Sequence, residues 1–304
     1  MSASGAGTRQ GQDGERSGGR SGDREDPAKP MRDDLSFFIR GMAFTARTAL
    51  RGLTRPQVEG ALDRIPRSGA LIVAGNHLSN ADGVLIGGWL TPALGRRIHW
   101  LGKREMVQLP VIGHLARAAS VHPVDRGTAD VEAFRAAQRI LEEGHVLLIF
   151  PEGTRSPTGA LQEAKDGLAM LALRTGATIL PVGVAGTDRF WPRGGVPRPG
   201  GRIRLVVGEP FRLAEVVPSG LDRRATKAAA TRAIMTRIAA LLPPRHRGAY
   251  ADAAAEMERA AAEPAPVAEP VPGPPVPPPA TEPAVPPSRT RARRTKKAPA
   301  ADPP

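Results

Sequence analysis

The sequence predicts an α/β fold in which helices flank a mostly parallel sheet. Between residues 70 and 241, short apolar runs alternate with segments in which apolar side chains recur at helical spacing. Such alternation is typical of a sheet whose parallel strands are joined by helices. The segment 145–150 is a continuous apolar run before a proline, as expected of a strand that is buried on both faces.

The individual elements follow from the same patterns. Strands are predicted, in chain order, at 70–75, 97–101, 119–124, 145–150, 178–184 and 202–207. Helices are predicted at 34–53, 82–90, 110–117, 129–143, 163–175 and 222–241. In the helix at 129–143, for example, the apolar side chains recur at helical spacing and Gly144 supplies a typical C-terminal stop.

The two ends of the chain are expected to be disordered. Residues 1–31 are rich in Gly, Ser, Arg and Asp, and the chain after Ala262 is rich in Pro without any periodicity. Neither segment can bury enough apolar surface to offset the entropy lost on ordering. The predicted division is a disordered 1–31, an amphipathic helix at 32–56, an α/β domain at 57–248, and a short helix followed by a disordered basic tail at 249–304.

The charge excess lies in the predicted folded domain. Residues 31–248 hold 31 basic and 18 acidic side chains, a difference of 31 − 18 = 13 that equals the net charge of the whole chain. A basic domain favours an anionic partner, such as phosphate groups, nucleic acid or an anionic membrane surface. The basic run at 289–297 could contact lipid headgroups or nucleic acid, or serve only to keep the tail solvated.

Several classes are excluded by composition. The chain has no Cys, which excludes disulfides, thiolate catalysis and Cys-based zinc sites and fits a cytoplasmic protein. The first residues lack the pattern of a signal peptide, and no uncharged apolar stretch is long enough to span a bilayer.

The segment 35–53 has the pattern of an amphipathic helix. Arg40, Arg47 and Arg51 lie on one side, together with Phe37 and Phe44. The other side is apolar and contains Leu35, Phe38, Ile39, Met42, Ala46, Ala49, Leu50 and Leu53. Such a helix either lies in a membrane interface or packs on the domain, and the two phenylalanines favour the membrane.

Three polar clusters directly follow predicted strands. They are Asn76-His77 to Asp82, the segment 122–127 that contains Asp125-Arg126, and the segment 150–156, which reads Phe-Pro-Glu-Gly-Thr-Arg-Ser. The carboxyl ends of parallel strands line one edge of a sheet, where ligands bind. Taken singly, each cluster has a plain explanation as a chance spacing, a surface ion pair or a turn. Together, at three strand ends, they predict one pocket.

His77 and Asp82 are the most informative pair in this pocket. A His with an Asp five residues later, at the mouth of a strand, can form a general base whose tautomer the carboxylate fixes. No Ser or Cys nucleophile is obviously paired with His77. The pair therefore favours a base that acts on a substrate hydroxyl over a covalent acyl-enzyme.

These motifs resemble those of the phospholipid/glycerol acyltransferase family, the PlsC-like lysophosphatidic acid acyltransferases, over roughly residues 50–210. The family's blocks correspond in order to Asn76–Asp82, 121–126, 150–156 without a mismatch, and the apolar strand 179–184 around Pro181. His122-Pro123 departs from the pair that often precedes Asp-Arg in the family. The helix at 35–53 is shorter and bears more Arg than the family's membrane helix, which suggests surface attachment.

The resemblance implies a reaction and a set of site residues. His77, held by Asp82, would deprotonate the free hydroxyl of a lysophospholipid such as 1-acylglycerol-3-phosphate, which then attacks an acyl thioester. Arg126 and Arg155 suit the phosphate, because guanidinium groups fork onto phosphate oxygens. Glu152 would orient an Arg or a glycerol hydroxyl, and Gly153 would let the backbone come close. Backbone N–H groups at 153–155, including that of Thr154, would bind the phosphate or the oxyanion. Lys103 and Lys165 are weaker candidates for anion contact.

The expected partners are a lysolipid, an acyl thioester of coenzyme A or acyl carrier protein as co-substrate, and the anionic cytoplasmic face of a membrane. No cofactor or metal is expected. The same chemistry on another lysolipid acceptor remains open, as does a non-catalytic membrane- or nucleic-acid-binding protein, although only 4% of the residues are aromatic. A metal hydrolase ranks low, because beyond the His77–Asp82 pair only His122 and Glu152 could act as further ligands.

Overall fold

A computed structural model describes residues 35–103, 110–124 and 130–262 of the chain. The segments predicted to be disordered, 1–31 and the Pro-rich tail after Ala262, lie outside these residues. Within the described ranges, no helix is both long and apolar enough to cross a membrane.

The described residues form a seven-stranded sheet flanked by helices, which confirms the predicted α/β class. The strands are β1 Arg55–Gly60, β2 Leu71–Gly75, β3 Ile98–Lys103, β4 Val121–Val124, β5 Val146–Ile149, β6 Thr178–Ala185 and β7 Arg202–Val207. The helices are α1 Phe37–Leu53, α2 Ala81–Leu94, α3 Pro110–Ala118, α4 Asp130–Glu142, α5 Gly167–Thr175, α6 Thr187–Phe190, α7 Leu213–Val216, α8 Arg223–Ala240 and α9 Ala251–Ala262.

The strand order is β1-β7-β6-β2-β5-β3-β4, and one strand pair reverses the direction of the chain. The strands from β6 to β4 in this order are parallel, whereas β7 runs antiparallel to β6 and β1 runs parallel to β7. The carboxyl ends of β2, β5 and β6 therefore lie at the same edge of the sheet as the amino ends of β1 and β7. We call this edge the site edge.

The core lies on both faces of the sheet, because alternate residues of each strand point to opposite faces. In β2, Leu71 and Val73 pack on the face covered by α1 and α2, whereas Ile72 packs on the face covered by α4, α5 and α8. All three side chains are fully buried. Burying a side chain of this size contributes about 1.5–3 kcal/mol to folding. The central strands thus form a rigid support for the residues at their ends.

Strand β1 was not predicted from the sequence. Its six residues carry apolar side chains only at Pro56 and Val58, and most of the strand is exposed at the edge of the sheet. It forms because β7 supplies a continuous parallel partner over all six positions. The helix predicted after residue 248 is α9, which packs on α8 and buries Ala254.

Helix α1 divides the apolar face that the sequence assigned to it. Ile39 and Leu50 are buried where α1 packs on α2, so this side is an ordinary packing face. Phe37 and Phe44, on the other side, have exposed fractions of 92% and 64%. Phe38 and Leu53, which the sequence placed with Ile39 and Leu50, are also 47% and 40% exposed, so a membrane contact of α1 stays a prediction.

Candidate active site

His77 and Asp82 meet at the site edge, where β2 ends and α2 begins. The short turn between them brings His77 Nδ1 to 2.8 Å from Asp82 Oδ2. The side chain of His77 is 21% exposed and that of Asp82 is fully buried. When Nδ1 donates its proton to the carboxylate, Nε2 is left as the proton acceptor. The pair thus has the geometry of an oriented general base.

The carboxylate of Asp82 is held from several directions. Its Oδ2 atom also accepts hydrogen bonds from the backbone N–H groups of Leu78 (2.6 Å) and Ser79 (2.8 Å). Its Oδ1 atom accepts a 2.5 Å hydrogen bond from the hydroxyl of Thr187, in the first turn of α6. A buried carboxylate must have such partners to offset the loss of water. Asp82 is therefore a fixed acceptor for the imidazole.

The imidazole of His77 is held on its face as well as at Nδ1. Its ring stacks on Phe150, which directly follows β5, with a centroid separation of 4.0 Å and an interplanar angle of 8°. The backbone carbonyl of His77 accepts a 2.8 Å hydrogen bond from Ser156 N–H. The first and third polar clusters of the sequence thus meet as expected from parallel neighbouring strands.

The side chain of Glu152 is held by N–H groups of the protein itself. One carboxylate oxygen accepts from the backbone N–H of His77 (2.8 Å), and the other accepts from the backbone and side-chain N–H groups of Gln162 (3.1 and 3.3 Å). The side chain is buried, and both oxygens are engaged by protein. In this structure Glu152 thus positions the backbone of His77, and its predicted contact with an Arg or a glycerol hydroxyl stays a prediction. Burial raises the pKa of Glu152 although these hydrogen bonds oppose the shift.

Gly153, Thr154 and Lys165 are exposed, and Arg155 is half-buried. Gly153 has φ +70°, and a Cβ there would lie 3.2 Å from the aliphatic atoms of Lys165. The N–H of Gly153 donates to the carbonyl of Phe150 and so is not a free donor. In the described part of the chain, the N–H groups of Thr154 and Arg155 have no protein acceptor, which leaves them as possible anion donors.

Lys103 and Arg126 are the two remaining residues that the sequence predicted to contact an anion. Lys103 is the last residue of β3 and so lies at the site edge by its backbone position. Arg126 falls outside the described residues. His122 lies within β4, where its Nε2 atom is 2.9 Å from His99 Nδ1. Among the described residues, no cluster of three His, Asp or Glu side chains could hold a metal ion.

An apolar cleft of about 300 Å³ opens beside the first turn of α2. It extends from Asn80 and Val84, which flank Asp82, to the strands β3 and β4. Its walls include Ile39, Met42, Ala43 and Ala46 of α1, Gly83, Gly87 and Gly88 of α2, and Trp100 of β3. Gly83 and Gly87 lack the Cβ atoms that would lie 2.9 and 3.2 Å from the Trp100 ring. Glycines on this face of α2 therefore leave room for Trp100 and for the cleft.

Two residues to which the sequence assigned no role of their own support this site. The buried Asn76 side chain exchanges hydrogen bonds with the backbone of Val184, donating over 2.9 Å and accepting over 2.7 Å, and so ties the end of β2 to β6. Thr187 directly follows Gly186 at the end of β6 and reaches Asp82. The sequence indicated a role for Thr187 only in that it is a polar residue shortly after a predicted strand.

The chain is similar in sequence and in fold to known acyltransferases. Residues 55–185 match the family model described as Acyltransferase. The chain is 28% identical to the chloroplastic 1-acyl-sn-glycerol-3-phosphate acyltransferase of Arabidopsis thaliana, over 60% of this chain and 50% of that protein. It is 28% identical to the 1-acyl-sn-glycerol-3-phosphate acyltransferase of Pseudomonas aeruginosa, over 60% of this chain and 70% of the relative. The matched region thus spans only half of the chloroplastic relative.

A solved structure extends the similarity to the fold. The crystal structure of the 1-acyl-sn-glycerophosphate (LPA) acyltransferase PlsC from Thermotoga maritima superposes with a TM-score of 0.53 at 26% identity. The match covers 64% of this chain and 76% of that one. The order of the motifs, the parallel sheet and these similarities agree, and residues 55–185 are thus similar to the PlsC-like acyltransferases.

Proposed function

We propose that this protein transfers a fatty acyl group from an acyl thioester to the free hydroxyl of 1-acylglycerol-3-phosphate, giving phosphatidic acid. The observation that carries the proposal is the hydrogen-bonded pair of His77 and Asp82 at the site edge, beside an apolar cleft. The names of the relatives support the same acceptor.

In the proposed reaction, Nε2 of His77 takes the proton of the acceptor hydroxyl as the oxygen attacks the thioester carbonyl. The tetrahedral intermediate then collapses, the carbon–sulfur bond breaks, and the thiolate recovers the proton from the imidazolium. Asp82 stabilises the imidazolium that forms between these steps. No covalent acyl-enzyme is needed, because the acceptor oxygen itself is the nucleophile.

The remaining groups divide between the two ends of the substrates. Arg155 and Lys165, with the open N–H groups of Thr154 and Arg155, are donors suited to the phosphate or to the developing oxyanion. The apolar cleft suits a fatty acyl chain, because its walls are nearly all apolar and it begins beside the first turn of α2. The acyl donor is a thioester of coenzyme A or of acyl carrier protein.

The acceptor lies in a bilayer, so the site edge must meet a membrane surface. We propose peripheral attachment at the cytoplasmic face, with the exposed Phe37 and Phe44 of α1 in contact with lipid. The excess of basic residues in the described domain adds attraction to anionic headgroups.

The test is an assay of the purified full chain with lysophosphatidic acid and acyl-coenzyme A, followed by mass spectrometry of the lipid products. We expect phosphatidic acid from the unmodified protein, and His77→Ala to lower the rate by about 10²–10⁴-fold, the usual contribution of a general base. A parallel series of lysolipids with other headgroups identifies the preferred acceptor. Near-normal turnover by His77→Ala would contradict the mechanism, and phosphatidic acid formation by neither protein would contradict the function.

A further inference from the structure

Four exposed arginines lie on the first residues of β1 and β7 and on the loop that leads into β7. They are Arg55 at the start of β1, Arg202 at the start of β7, and Arg193 and Arg198 in the loop between α6 and β7. We call this group the arginine edge. Because β1 and β7 run opposite to β2, their first residues lie at the same edge of the sheet as His77.

Arg55 and Arg202 are direct neighbours in the sheet. They are paired in the parallel register of β1 and β7, so their side chains leave adjacent strands on the same face, with the strands about 4.8 Å apart. Like charges placed side by side in this way destabilise a sheet unless an anion lies between them. The next arginine along β7, Arg204, shows the contrast, because it pairs with Glu59 of β1.

The arginine edge has no acidic partner within the described part of the chain. No ion pair is formed there by Arg55, Arg193, Arg198 or Arg202, whereas Arg64, Arg204 and Arg247 all have carboxylate partners. The charge of this group is therefore directed at solvent or at an external anion.

The loop that carries Arg193 and Arg198 is tied to both the catalytic turn and the end of α1. The hydroxyl of Ser79 donates to the carbonyl of Trp191 over 2.7 Å. At the other end of the loop, Gly200 N–H donates to the carbonyl of Leu53 over 2.8 Å, and Arg55 N–H donates to Gly201 over 2.9 Å. The arginine edge thus has a fixed place beside the active site.

Exposed apolar side chains accompany these charges. Val196, between Arg193 and Arg198, has an exposed fraction of 74%, and Leu53, next to the β1 end of the group, is 40% exposed. A surface of arginines with exposed apolar side chains matches an anionic lipid bilayer, which offers phosphate groups above an apolar interior. A soluble phosphate ligand would leave Val196 and Leu53 without a partner.

We propose that the arginine edge binds the anionic headgroups of the membrane and so holds the site edge against the bilayer. This inference rests on the proposed function, because a bilayer-resident acceptor is what requires the site edge to face lipid. The lipids bound by the arginine edge are neighbours of the substrate and are not themselves acylated. The edge would act in addition to the phenylalanines of α1.

The test compares two triple variants of the full chain that lose the same charge. The first is Arg55→Gln, Arg198→Gln and Arg202→Gln in the arginine edge. The matched control is Arg223→Gln, Arg224→Gln and Arg232→Gln, which are exposed on α8. Partition is measured by flotation with vesicles of phosphatidylglycerol and phosphatidylcholine. We expect partition of the first variant to weaken roughly fivefold per arginine, on the order of a hundredfold in total, and the control to change little.

Activity supplies an independent readout. We expect the first variant to lose acylation of lysophosphatidic acid embedded in those vesicles, yet to acylate a monomeric short-chain acceptor at the unmodified rate. If the proposed function itself fails, every variant is inactive on both acceptors, whereas flotation still reports on the surface.

Three results would overturn the inference. Equal loss of partition in both triple variants would mean that only net charge matters. Unchanged partition of the first variant would mean that the edge does not contact lipid. A raised KM for the acyl donor with the monomeric acceptor would mean that the edge binds the donor. Where the triple variant fails to fold, Arg198→Gln alone, in the exposed loop, is expected to weaken partition about fivefold, and no change would count against the inference.

Discussion

Thr187 donates a 2.5 Å hydrogen bond to Oδ1 of Asp82, and neither side chain is exposed to solvent. The two residues are 105 positions apart in the chain. Gly186 makes the contact possible, because its φ of +82° turns the chain at the end of β6 and a Cβ there would lie 2.2 Å from the carbonyl oxygen of Arg202. The carboxylate of Asp82 is thus oriented from the end of β6, the strand that neighbours β2, as well as by its own turn.

Replacing Thr187 by Val should lower kcat while leaving KM for both substrates nearly unchanged. Valine keeps the branched shape but leaves Oδ1 of Asp82 without a donor, and a hydrogen bond to a charged group contributes about 1.5–3 kcal/mol. We expect kcat to fall by roughly tenfold to a hundredfold if the imidazole depends on this bond. Steady-state kinetics on the purified variants measures this change in kcat.

Thr187→Ser is the matched control, because it restores the hydroxyl. It should recover most of the lost kcat even where the missing methyl group lowers thermal stability. Equal loss in the Val and Ser variants would show that Thr187 only fills space.

The buried Glu152 should make stability depend on pH. Its pKa lies above the ordinary value of 4.5 because burial penalises the charged form. The folded state therefore holds the proton to higher pH than the unfolded state, and the free energy of unfolding falls as pH rises from about 4.5 through the raised pKa. Urea denaturation at pH 4.5–7.5 of the unmodified protein and of Glu152→Gln should show this decline only in the unmodified protein.

Glu152→Gln should also lower activity, for a separate reason. The amide can accept from only one side, so one of its N–H groups would face the N–H of His77 or of Gln162. Full activity of this variant would contradict the positioning role given to Glu152. If the free energy of unfolding fell with pH in the same way in both proteins, a group other than Glu152 would be responsible for the decline.

The cleft beside α2 should set the length of the acyl chain. Ala46 lines it from α1, so Ala46→Phe should fill part of the volume and favour shorter chains in the product. Ala49→Phe is the control, because Ala49 lies on the exposed side of the same helix. Mass spectrometry of products formed from a mixture of acyl-coenzyme A chain lengths measures the shift. An unchanged chain profile in Ala46→Phe would place the acyl chain elsewhere.

The parts of the fold that the sequence predicted are those with a strong local pattern. The apolar runs at β2 and β5 marked these strands to within one or two residues, because strands buried on both faces need no polar positions. Strand β1 has no such pattern, since it exists through its pairing with β7 and is exposed.

The contacts of the site likewise fall into those visible in the local sequence and those that depend on the fold. The turn from His77 to Asp82 was visible because five residues of sequence determine the contact. The bonds from Thr187 to Asp82 and from His77 to Glu152 join residues that are 105 and 75 positions apart, so they depend on strand order. The hydrogen bonds of Glu152 were not visible in its local sequence, which shows a turn, because one donor is the N–H of His77 beyond the neighbouring strand and the others belong to Gln162.

Phe37 and Phe44, on the aromatic side of α1, should determine how strongly the protein binds a membrane without anionic lipid. Phe37 and Phe44 are seven residues apart on one side of the helix and contribute little to the core, being 92% and 64% exposed. Replacing both by Glu should reduce partition onto vesicles with little change in the thermal midpoint. Phe38 and Met42 are poorer choices for this test, because Met42 lines the cleft and its replacement would disturb that site as well.

The control for α1 is Thr45→Glu with Ala49→Glu, which adds the same charge at exposed positions of the helix without removing an aromatic ring. Flotation at low and high salt separates the two contributions, because salt screens attraction to anionic lipid and leaves apolar insertion in place. We expect the phenylalanine variant to lose the salt-resistant fraction of binding, and the control to keep it. Equal behaviour of the two variants would show that α1 contacts the membrane through charge alone, and a large fall in the thermal midpoint of the phenylalanine variant would show that these rings belong to the packed domain.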